Sequence, residues 1–98
     1  MRLADLEPRW LSPDLFIFKC PHCLEMLLSC KKMPLSFKEQ RELFNSKLGE
    51  DWNERVVPTE SKSAWAILGD FSNMTISPSI DASHSGHWHG FVTNGEAA

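Results

Sequence analysis

The chain has 98 residues, a net charge of −3 and a hydrophobic fraction of 42%. That is enough for one globular domain with a small core, and too apolar for a disordered segment. No run of about 18 apolar residues exists to span a bilayer, and 10 basic residues scattered among 13 acidic ones offer nucleic acid no basic face.

The first fourteen residues read as an irregular lead-in, broken at Pro8 and Pro13, with turn chemistry at Ser12-Pro13-Asp14. Acidic residues stand where a secretory signal would need an apolar stretch, so the expected location is cytoplasmic. Leu15-Phe16-Ile17-Phe18-Lys19 is a compact β-favouring run and predicts a strand ending at Cys20. The segment Leu24 to Ser29 fits either a short helix or the return arm of a hairpin turning at Cys20 to Cys23. Lys31, Lys32 and Lys38 read as solvated surface.

Ser36-Phe37-Lys38-Glu39 is a capping box, and the spacing predicts a helix over about 36–48 ended by Gly49. Phe37, Leu43, Phe44 and Leu48 fall near one stripe, which reads as core packing. Residues 50–63 are polar with Pro58 among them and read as a surface loop. Strands follow at Ala64 to Leu68 and at Asn73 to Ser77, with Pro78 ending the second or placing it at a sheet edge. Ile80 to Gly86 reads as a loop and His87 to Val92 as a last strand. Asn94-Gly95 is a hairpin turn that leaves only a short final arm. These elements predict a single small α+β domain over 1–98, an antiparallel sheet with one helix.

Two features carry chemistry. Cys20-Pro21-His22-Cys23 is a Cys-x-x-Cys turn, able to aim two thiolates at one metal ion. Three cysteines, an odd number in a chain with no secretory signal, argue against a disulfide framework. The same four residues resemble the active-site segment of the DsbA-type thiol oxidoreductases, in which the motif opens a helix. That resemblance implies dithiol chemistry, with Ile76-Ser77-Pro78 standing for a cis-proline loop. The order of elements argues against it, because a thioredoxin-type fold needs an early βαβ unit and a helix after its last strand.

The second feature is the histidine group. If His87 begins a strand, His87 and His89 project from one face, and with Cys20 and Cys23 they complete a Cys2His2 set. Such a set selects Zn2+ in a closed, structural site. His84, three residues earlier, is the alternative ligand. His22 is expected to face water, and Cys30 to be a buried thiol.

The whole pattern resembles a group of small proteins of bacteria and their phages, some labelled "ammonia monooxygenase", distantly similar to the DUF6527 family. The residues that carry the resemblance are the cysteine turn after the first strand, Trp65, Thr75-Ile76-Ser77-Pro78-Ser79-Ile80, and Trp88-His89-Gly90-Phe91-Val92-Thr93-Asn94-Gly95-Glu96. It implies a zinc-ribbon-like fold with ligands at Cys20, Cys23 and His89. Many members carry a cysteine where this chain has Gly86, so a fourth ligand must come from His87 or His84. The label itself describes a large membrane-bound copper enzyme and does not fit.

The expected function is a zinc-stabilised module that binds another protein, of the kind a phage or mobile element carries as an accessory. A thiol-disulfide oxidoreductase is the alternative. A small metal hydrolase using Asp81 or Glu96 as general base ranks third.

Overall fold

The computed structural model describes the backbone of residues 1–98 and every side chain except that of His84. Eight strands and one helix form a small α+β fold of two four-stranded sheets. The first sheet has the order β1 (Arg9–Ser12), β2 (Leu15–Lys19), β3 (Leu27–Lys31), β4 (Val56–Val57). The second has the order β5 (Ala66–Leu68), β6 (Thr75–Asp81), β7 (His89–Thr93), β8 (Glu96–Ala97). All neighbours are antiparallel except β3 and β4, which run parallel with the helix α1 (Phe37–Leu48) between them in sequence.

The unbroken apolar run of β2 has a direct physical cause. A strand covered on one face alternates apolar and polar residues, whereas one covered on both is apolar throughout. Phe16, Phe18 and Cys20 enter the main core between the sheets, where they meet Ile67, Met74, Ile76, Ile80 and Val92 of the second sheet and its neighbouring turn. Leu15 and Ile17 enter a smaller core beneath α1, with Leu11, Leu27, Val56 and Phe44. The layers are therefore helix, first sheet, second sheet, with the far face of the second sheet open to water.

Several expectations are corrected. The lead-in is structured: Leu3–Leu6 forms a 3-10 turn whose leucines are buried in the main core, and β1 pairs with β2. Of the two alternatives for residues 24–29 the hairpin arm is the one formed, since β3 returns antiparallel from the cysteine turn with Phe18 opposite Leu28. The polar loop after α1 contains a 3-10 turn at Trp52–Glu54 and the short β4.

Strand β6 runs through Pro78 to Asp81, past the expected stop. Proline lacks a ladder donor, but β5 pairs only with Thr75 to Ser77, so at Pro78 no β5 residue requires one. Three residues, Ser77 to Ser79, stand between Ile76 (opposite Val92) and Ile80 (opposite Gly90), against Phe91 alone on β7. The result is a bulge, with the Ser77–Pro78 peptide cis.

The helix keeps its capping box: Glu39 N–H donates to Ser36 Oγ at 3.1 Å and Ser36 N–H to Glu39 Oε1 at 3.3 Å. Its buried residues are Phe44 and Gln40, while Phe37 is 50% exposed.

Phe16 is fully buried, with ring centroids 5.1 Å from Trp10 and 5.8 Å from Phe18. Phe16→Ala should cost about 3–5 kcal/mol in urea unfolding, and Ser36→Ala about 1 kcal/mol. A Phe16→Ala loss no greater than that of Ser36→Ala would contradict the two-sheet core.

Candidate functional site

The cysteine turn joins β2 to β3. Cys20 N–H donates to Met26 O at 2.8 Å and Leu24 N–H to Cys20 O at 2.8 Å, closing a tight knuckle with Leu24 in the left-handed region (φ 59°). The knuckle is a hairpin turn, not the start of a helix, so it lacks the helix N-terminus that the redox reading expects. Cys20 is fully buried and Cys23 half-buried. Burial works to raise the Cys23 thiol, but amide hydrogen bonds from Met26 (3.4 Å) and Glu25, and one from the Cys20 thiol, outweigh it and hold it below the ordinary thiol range. Amides aimed at sulfur favour the thiolate, the form that ligates metal.

His87 meets this pair from the other sheet. The connection from β6 to β7 passes through a 3-10 turn at Ser83–Ser85 and Gly86, which takes a left-handed conformation (φ 78°). His87 N–H donates to Ala82 O at 3.0 Å and Ala82 N–H to Trp88 O at 3.0 Å. The Cys20 and Cys23 sulfurs and a His87 ring nitrogen all lie within 4.8 Å of one another, with Cys23 Sγ 3.7 Å from His87 Nδ1. Two thiolates and an imidazole so placed are close enough to bind one metal ion.

His89 is not part of that group. The expectation that His87 and His89 share a strand face assumed that both are in the strand, but β7 begins at His89 and His87 lies in the turn before it. Between them, Trp88 packs edge-on to Phe18 at 6.2 Å. Gly90 makes room for it, since a Cβ there would lie 2.5 Å from the Trp88 ring. His84, three residues before His87, lies outside the described side chains. His22 is exposed. Cys30 is fully buried, and burial pushes its thiol far up, so it is inert.

His89 instead faces outward from the second sheet, directly opposite Asp81 of β6. Register partners share a face, and so do residues two apart on one strand. Ser79, at the end of the bulge and two residues before Asp81, therefore lies diagonal to His89. Asp81 Oδ1 accepts hydrogen bonds from Ser83 N–H (2.9 Å) and Ser83 Oγ (2.6 Å), which ties this face to the turn that delivers His87.

A cleft of about 660 Å³ runs beside Pro78 to Ala82, with Val57 to Glu60 and Lys62 to Trp65 among its other lining residues. The Trp65 indole N–H donates across to Ser79 O at 3.3 Å.

Residues 45–98, more than half of the chain, match the family described as bacterial ubiquitination-like system serine protease (BubE). The chain belongs to this family. No curated protein and no solved structure matches it. The BubE match covers β4 to β8, with Ser79, Asp81, His87 and His89, and leaves Cys20 and Cys23 outside.

Sequence reasoning missed the Ser79–Asp81–His89 grouping. The available signal was period two on adjacent strands, Ser-x-Asp followed by His-x-Phe, but the expected loop from Ile80 to Gly86 hid it.

Metal analysis of protein purified without added chelator should find one equivalent per chain. Cys20→Ser, Cys23→Ser and His87→Ala should each lose it and lower the melting temperature, while His89→Ala keeps it. Retention in His87→Ala with loss in His89→Ala would reverse the assignment.

Proposed function

We propose that this BubE-family chain is a serine peptidase of a bacterial ubiquitination-like system, stapled by zinc. The observation that carries the reading is the outer face of the second sheet, where Asp81 and His89 are register partners and Ser79, two residues before Asp81 on the same strand, is diagonal to His89 at the lip of the cleft. Diagonal neighbours have Cβ atoms about 7 Å apart, within reach of a side chain as long as histidine. Serine is a weak nucleophile until a base takes its proton, and an imidazole needs a carboxylate to hold its tautomer and orientation.

The roles follow from those positions. His89 takes the proton from Ser79 Oγ as that oxygen attacks the scissile carbonyl. The same imidazolium then protonates the leaving amine, and water, deprotonated by His89, attacks the acyl carbon, so that Ser79 Oγ departs with the proton that His89 returns. Asp81 is placed to stabilise the imidazolium. The family's description supports this chemistry, and all three residues fall in the matched segment.

The Cys20–Cys23–His87 group fits zinc. Zinc–sulfur and zinc–nitrogen bonds of about 2.3 and 2.05 Å at tetrahedral angles set the two ligands about 3.5 Å apart, against 3.7 Å between Cys23 Sγ and His87 Nδ1. Bound there, zinc would supply folding energy by joining the first sheet's hairpin turn to the second sheet's β6–β7 connection. The expected partner is another protein of the same system. Leu68 and Phe91, 70% and 56% exposed on the outer side of β5 and β7, offer it apolar contact.

A fluorophosphonate reagent, which esterifies an activated serine, should label Ser79. Ser79→Ala should abolish labelling, and His89→Ala or Asp81→Asn should slow it by about a thousandfold or more. Wild-type labelling that survives Ser79→Ala would remove Ser79 as the nucleophile.

A further inference from the structure

Two polar side chains are fully buried far from any expected role: Lys31, at the end of β3, and Gln40, in α1. The sequence places Lys31 on a solvated surface, and the structure overturns this. Burial alone works against its charge and pulls the ammonium below the usual lysine range. A buried cation persists only where oxygen acceptors replace its water.

Both residues reach the same segment. Lys31 Nζ donates to Thr59 Oγ1 at 2.8 Å and to Glu60 O. Gln40 Nε2 donates to Thr59 O at 2.8 Å while Thr59 N–H donates to Gln40 Oε1 at 3.1 Å, a two-way clasp on the backbone of one residue. Gln40 is itself fixed by a 3.1 Å bond to Leu35 O. Further along, Trp65 N–H donates to Lys31 O at 2.8 Å, and the Lys31 ammonium lies 5.8 Å from the Trp65 ring centroid. The stretch from Val57 to Trp65 is thus a strap tied to the first sheet and the helix at Thr59, Glu60 and Trp65, and it forms one wall of the cleft.

The free end of this tether is the Trp65 indole, which crosses to the second sheet and donates to Ser79 O. The two strands differ there. Ala82 turns its N–H and C=O toward the β7 side, so by alternation Ile80 does too, and Ser79 turns its carbonyl away from β7 toward the strap. With β5 ending opposite Ser77, the indole takes the place of a ladder partner at Ser79.

We infer that Lys31 and Gln40 are positioning residues for the Ser79 site, acting through the strap and the Trp65 indole. They fix the bulged strand that carries Ser79 and set the width of the cleft beside it. This rests on the reading of Ser79 as nucleophile, and it extends the site to two buried residues, Lys31 in the first sheet and Gln40 in the helix, both outside the family match.

Thr59 offers a clean test, because Thr59→Val removes the Lys31 acceptor at nearly constant volume and Thr59→Ser keeps it. Three quantities are measured in each variant: melting temperature, solvent exchange of the Trp65 indole N–H by NMR, and the rate of fluorophosphonate labelling at Ser79 resolved into reagent affinity and maximal rate. Thr59→Val should exchange the indole proton faster in the folded protein and label Ser79 about tenfold to a hundredfold more slowly at saturation, with Thr59→Ser close to wild type. Trp65→Phe, which removes only the cross-sheet donor and keeps a ring, should reproduce the slower maximal rate if Thr59→Val does not fold. A Thr59→Val protein with wild-type indole exchange, or with a looser indole and an unchanged maximal rate, overturns the inference. A wild-type protein that is never labelled defeats the peptidase reading instead, and the indole exchange then decides by itself whether the strap holds Ser79.

Discussion

One helix covers one face, and this constraint organises the molecule. With α1 on the first sheet and the first sheet on the second, the outermost face of the second sheet has no cover. Its strands must alternate, apolar inward and polar outward. Ile80 and Val92 enter the core while Asp81, His89 and Phe91 face water. The residues proposed above for the peptidase site stand on a sheet face that packing leaves open.

The two sheets need more than apolar contact to hold a site between and beside them. Hydrophobic burial is non-directional, so the Phe16–Phe18 layer tolerates small slips of one sheet over the other. Two directional ties oppose such slips. The cysteine knuckle of the first sheet meets His87 of the second at one end, and the Trp65 indole meets Ser79 O near the cleft. Both ties converge on the β6–β7 hairpin, at its connection and at its bulge. A group of ligands close enough to bind a metal ion and a strap tied to a buried cation thus reach the same hairpin by different chemistry.

His89 shows how one assumption redirects a residue. As a strand partner of His87 it would be a metal ligand. With the strand starting two residues later, the His87 N–H is spent on Ala82 O, and His89, the first residue of β7, faces outward opposite Asp81. Gly90 accommodates the intervening Trp88, because the Trp88 ring occupies the space that a Cβ at residue 90 would need.

Much was legible in the sequence because its causes are local. The capping box at Ser36 and Glu39, the β2 run, the Cys-x-x-Cys knuckle and the Asn-Gly turn each depend on residues a few positions apart. So did the expectation of a metal at Cys20 and Cys23, although its histidine partner was one of several. The rest depends on contacts between distant segments. Only the fold shows that Lys31 is a buried anchor, since its acceptors lie 28 and 29 residues away. Only the fold shows that Pro78 lies within a strand, since that depends on where β5 stops. The sequence by itself determined the short-range geometry and the residue types available. The tertiary structure decided which of them meet, because the pairing of two sheets is set by global packing and not by any neighbour along the chain.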